Sequence, residues 1–248
     1  MALYAAQIQS AASAAQPHAS PFRLVLKAWD QITTAVFPKH PRYGSHAGTP
    51  NVWFLNPERF VTDVLTPCIP HAHAIGAFVL ELTPMPKGFL TPEVLSARIR
   101  AFVRALPALP FPLAFELRNA ELLTERWFND LRDLGAGHVF NFWTAMPVLR
   151  TQLRAHGSLR DAPCVVVRLM LAPYASYAAS KAAFAPFDKL VAPQADMIDD
   201  VVAIVDASRA AGGKPTFIVA NNKAEGSAPL TIERIASRVS RLTLASTP

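Results

Sequence analysis

Polar side chains recur where apolar runs of the sequence end. Lys27 stands near the end of FRLVLKAW, Glu81 near the end of IGAFVLEL, and Glu116 and Arg118 close FPLAFELR. Arg168 lies in PCVVVRLML, Asn141 in GHVFNFW, and Asn221 and Asn222 follow the run that ends at Ala220. Carboxylates give and take protons, cations hold anionic groups, and amides orient a ligand through hydrogen bonds. Each apolar run reads as a buried strand. Side chains alternate along a strand, so Lys27 shares a face with Val25, Glu81 with Val79 and Ala77, Glu116 and Arg118 with Ala114, and Arg168 with Val166. A charge buried alone is expensive. Gathered at one mouth, these groups would make a mixed acid, base and amide site. A buried ion-pair network of Glu116 with Arg118 or Arg168, holding the fold without any ligand, would use the same residues.

The elements that must position these groups follow from periodicity. Strands are expected over Phe22–Trp29, Ile75–Leu82, Phe111–Arg118, Gly137–Trp143, Pro163–Leu171 and Pro215–Ala220. Asn56 and Pro57 start a short helix, and Thr91-Pro92-Glu93 start a longer one carrying Leu95, Ile99, Phe102 and Leu106 at helical spacing. Further helices are expected around Leu122–Leu134, Ala195–Ala211 and Ile232–Leu242. Residues 30–56, rich in Pro, Gly and His, read as a long loop. Strand and helix alternate, and the strands are almost continuously apolar. That pattern predicts a parallel sheet covered by helices, whose strand ends form the ligand mouth. Residues 1–21 are expected as a tail or frayed helix, and 22–248 as one domain.

Composition narrows the function. The 248 residues are 51% hydrophobic and 17% charged, as in a core-forming globular chain. The formal charge of +6 favours anionic partners: a small molecule first, with nucleic acid as a weaker alternative because no dense basic cluster appears. Two cysteines, Cys68 and Cys164, are too few for a disulfide framework, and a reducing cytoplasm is expected. No run has the length of a membrane span, and the N-terminus lacks the basic and apolar regions of a signal peptide. His71 and His73 have metal-ligand spacing but precede their strand, so no metal site is expected. Trp127 and Phe128 read as packing. No Gly-rich phosphate loop, nucleophile elbow or paired-cysteine motif is present, and no cofactor is named by the sequence.

Several motifs resemble the YecE-like family, also called domain of unknown function 72. They are Phe115-Glu116-Leu117-Arg118 followed by Trp127, the FRLVLKAW run followed by Ile32-Thr33, and Asn221-Asn222 with Gly226 and Ala228-Pro229. Arg168 is similar in place to an arginine of the family's late strand. The resemblance implies a TIM-type (β/α) barrel, here incomplete, with about six of eight strands recognisable. The family's opening G-T-S-G strand and its acidic second strand are not visible. Its Q-x-P-P becomes Glu81-Leu82-Thr83-Pro84, and its R-x-H-G becomes Arg168-Leu169-Met170-Leu171. The resemblance supplies no reaction. The resulting expectation is a polar pocket at the strand ends performing hydrolase- or lyase-type chemistry on an anionic small molecule. Glu116 would act as general acid or base, oriented by Arg118. Lys27, Glu81, Arg168, Asn221 and Asn222 would bind substrate. A non-catalytic binding protein for an anionic metabolite or nucleic acid, or a degenerate, truncated family member, is the alternative.

Overall fold

The computed structural model describes residues 23–173 and 175–245. The segment expected as a tail therefore lies outside the described residues. The described residues divide into two compact units, 23–118 with Leu122–Gly137, and Asn119–Glu121 with 138–173 and 175–245.

In the first unit the expected strands form as β1 (Leu24–Lys27), β2 (Ile75–Glu81) and β3 (Leu113–Glu116), parallel and adjacent in sequence order. Short helical turns interrupt the long loop, with α1 at Asp30–Thr33. The helix capped by Asn56 begins as α2 (Pro57–Phe60), the Asn56 side chain accepting from Arg59 N at 2.8 Å. It runs on to Ala74 through wide and tight turns that contain Pro67 and Pro70. α3 (Pro92–Arg104) and α4 (Glu125–Asp133) follow the second and third strands. Alternation sorts the side chains as expected. Phe78, Leu80, Leu113, Phe115 and Leu117 turn to one face and pack with Phe60, Ile99, Phe102, Trp127 and Leu131. Trp127 meets Phe115 edge-on, with ring centroids 6.5 Å apart, and so serves packing.

In the second unit β4 (Gly137–Phe142), β5 (Val165–Leu169) and β6 (Thr216–Ala220) repeat the parallel, sequential order. Two helices absent from the sequence expectation appear: α5 (Leu149–His156) and α6 (Tyr177–Phe184). α7 (Ala195–Ala210) and α8 (Ala228–Ala245) match the expected late helices. Phe140, Phe142, Val165, Val167 and Leu169 pack with Leu149, Val201, Ile204 and Ile235 in a core of their own.

Six parallel strands with helical crossovers, counted among the described residues, define an α/β fold of the incomplete TIM type. No described helix is long and apolar enough to cross a membrane.

Candidate functional site

The first unit gathers three of the expected site residues. The β2–β3 register places Glu81 directly opposite Glu116. Two like charges in that position repel. Arg118, two residues beyond Glu116 on the same face, resolves the conflict. Its Nε donates to Glu116 Oε1 at 2.8 Å, and its Nη2 lies 2.9 Å from Glu81 Oε2. Glu116 has no solvent exposure, whereas the Glu81 side chain keeps 14%. The β1–β2 register aligns Lys27 with Val79, which puts Lys27 in the same row one step below Glu81. Lys27 is exposed. No carboxylate among the described residues pairs with it. The ion-pair network and the candidate site are thus the same residues, with Arg118 at the centre.

The second unit places the others. Asn141 and Arg168 stand opposite each other across β4 and β5, and Val219 of β6 continues that row. Asn141 is fixed by Gln152, a fully buried residue of α5 that no sequence motif singles out. Gln152 Nε2 donates to the Asn141 carbonyl at 2.7 Å, and its Oε1 accepts from Asn141 N at 3.1 Å. A glutamine inside a helix carries no periodic signal, so no sequence pattern marks it. Asn221 Oδ1 accepts from Lys223 N at 3.0 Å, and Asn222 Oδ1 accepts from Ala228 N at 2.8 Å. Those two oxygens are engaged in shaping the turn and starting α8.

That turn is held tightly. Glu225, fully buried, accepts through its carbonyl from Val191 N at 2.7 Å and Ala192 N at 2.9 Å. Its carboxylate accepts from Gln194 N at 2.6 Å and from Arg234. Gly226 has φ +124°, and a Cβ there would lie 2.4 Å from the Lys189 carbonyl oxygen. Only glycine fits such a position. The sequence marked Gly226; the segment it grips, 189–194, had no signal.

His71 and His73 lie in the last helical turns before β2, at its N-terminal side. Among the described residues no group of three or more His, Cys, Asp or Glu is placed to hold a metal ion. Cys68 and Cys164 are free and buried, and burial pushes the Cys164 thiol up to about 12.

Parallel strands in sequence order, helical crossovers and polar groups at the carboxyl ends of strands define an α/β protein of the incomplete TIM type. The model of the family described as "Protein of unknown function DUF72" matches residues 3–248, and the chain belongs to that family. Among solved structures, a DUF72 protein of Thermotoga maritima MSB8 is 16% identical, with a TM-score of 0.57 over 94% of this chain and 79% of that one. A DUF72 protein of Enterococcus faecalis V583 is 15% identical, with a TM-score of 0.53 over 95% of this chain and 84% of the other. At such identities the likeness is one of fold. No curated protein matches the chain.

Proposed function

We propose that the chain binds a small anionic molecule at the inward face of β1–β3 and transfers a proton to or from it, in hydrolase- or lyase-type chemistry. The observation that supports this reading is the Glu81–Arg118–Glu116 cluster with unpaired Lys27 in the same row. Two carboxylates contact one arginine, and the two differ in their access to solvent. Glu116 is sealed from solvent and best serves to fix Arg118, while Glu81 keeps an open side. Glu81 is therefore the proton-handling group in this reading, Arg118 the group that orients it, and Lys27 the counter-charge for the anion. The free, buried thiols go with a reducing, cytoplasmic setting as part of the same proposal.

The test is a thermal-shift screen of phosphate, acetate, and di- and tricarboxylates on the wild type, Lys27→Gln and Glu81→Gln. A stabilising anion should lose its effect in Lys27→Gln and keep most of it in Glu81→Gln. Turnover of any substrate so found should fall roughly a hundredfold in Glu81→Gln, the usual size of a general acid–base contribution. An anion shift that survives in Lys27→Gln overturns the reading.

A further inference from the structure

An open cleft of about 710 Å³ lies beside β1. Five consecutive residues, Leu26 to Asp30, line it. Successive side chains of a strand point to opposite faces. A cavity that touches both Leu26 and Lys27, the last two residues of β1, therefore runs along the strand's edge, not over one face. β1 gives its other edge to β2, with Ala28 N donating to Val79 O at 2.8 Å. The opposite wall is the helical stretch after α2, through Thr62, Val64, Pro67 and Cys68. Phe78 completes an apolar floor.

The charged groups of the cleft are not equivalent. Asp63 accepts from Arg59 Nε at 3.0 Å. Asp30 faces Arg42 Nη2 and the Tyr43 hydroxyl, each at 3.3 Å. Arg59 is further held over the rings of Trp29 and Trp53, at 5.2 and 4.5 Å from the ring centroids. Both carboxylates thus have arginine partners, and both arginines are engaged. Among the charged groups of the cleft's described lining, Lys27 alone pairs with no described residue. It is also the one residue common to the cleft lining and the inward row of Glu81 and Glu116.

We propose that this cleft holds the apolar body of an amphipathic carboxylate, an acyl or aryl acid, whose head group meets Lys27. This deepens the proposed function and rests on its reading of Lys27 as the anion's counter-charge. The volume lies within the usual range for small-molecule sites, and a mainly apolar wall with a few polar groups is their usual make-up. One unpaired ammonium suits a monoanionic head. A phosphate would call for several donors or a free guanidinium fork, and the arginines here are already committed.

Isothermal titration with acetate, butyrate, hexanoate, octanoate and the neutral octanol tests this on the intact chain. Affinity should rise along the acid series by about three- to fourfold per methylene, as expected for burial of CH₂ groups. Octanol should bind at least tenfold more weakly than octanoate, and Lys27→Gln should remove that difference. Thr62 is exposed, so Thr62→Trp should fold normally, checked by its melting curve, and block the cleft. It should weaken octanoate at least tenfold and leave acetate unchanged. Acids that bind through Lys27 without gain in chain length overturn the cleft assignment and leave the anion site standing. Octanoate binding indifferent to Lys27→Gln overturns the head-group assignment and the parent reading with it. Octanoate binding indifferent to Thr62→Trp overturns the cleft alone.

Discussion

At the scale of single residues, Arg118 decides how the inward face behaves. Glu81 and Glu116 are register partners, and the guanidinium that contacts both offsets their repulsion. Removing one partner of a buried pair leaves charge without compensation, which usually costs about 3–5 kcal/mol. Arg118→Met should therefore destabilise the protein by about that amount in chemical denaturation. The double variant Arg118→Met with Glu116→Gln should recover a good part of the loss, because the buried excess charge goes with the second change. A double variant no more stable than Arg118→Met alone would mean that the arginine acts through packing. The individual groups were legible in the sequence because strand parity is local: each lies two steps from an apolar neighbour on the same face. Their pairing was not. Whether Arg118 takes Glu81 or Arg168 takes Glu116 depends on register between strands that no local pattern encodes.

At the scale of elements, the six strands were legible and two helices were not, for a physical reason. Strands buried on both faces leave continuous apolar runs, and the burial of every residue in β3 and β4 is the structural counterpart. α5 is only eight residues long and turns just Leu149 and Leu153 to the core, and α6 buries only Ser180, so neither carries an apolar stripe long enough to follow. The cleft beside β1 was hidden too, since its walls come from residues 26–30 and 62–68, which the chain brings together only on folding. The turn after β6 shows how a motif noticed for chemistry can serve structure. Asn222 supplies the acceptor for Ala228 N at the start of α8, and Asn222→Ala should cost about 1 kcal/mol, the usual loss for a cap. Gly226→Ala should cost more, about 2 kcal/mol or above, because the new Cβ meets backbone that belongs to another segment and cannot swing aside. Equal melting temperatures for Gly226→Ala and the wild type would show that the 189–194 segment yields freely.

At the scale of the whole molecule, a buried histidine ties stability to pH. His138 begins β4 as its second residue and is almost wholly buried, its ring against Phe140 at 4.9 Å and 6.1 Å from that of His156. Burial first, and the neighbouring His156 second, lower its pKa from 6.5 to about 3, while a hydrogen bond with Gln152 opposes them. The folded protein thus keeps His138 neutral where the unfolded chain would take up a proton. With the folded value below the unfolded one, stability from this group is complete above pH 6.5 and drains away as the pH falls from there toward 3. One pKa unit corresponds to about 1.4 kcal/mol, so moving from pH 7 to pH 5 should cost about 2 kcal/mol through His138. That window lies above the range in which carboxylates titrate, which separates this effect from ordinary acid denaturation. His138→Phe keeps an aromatic ring in an apolar setting and removes the proton site. Urea unfolding at pH 7, 6 and 5 should show a steep loss for the wild type and a much shallower one for His138→Phe. Parallel pH profiles for the two proteins would mean that His138 accepts its proton in the folded state, and that the strand face around it admits water.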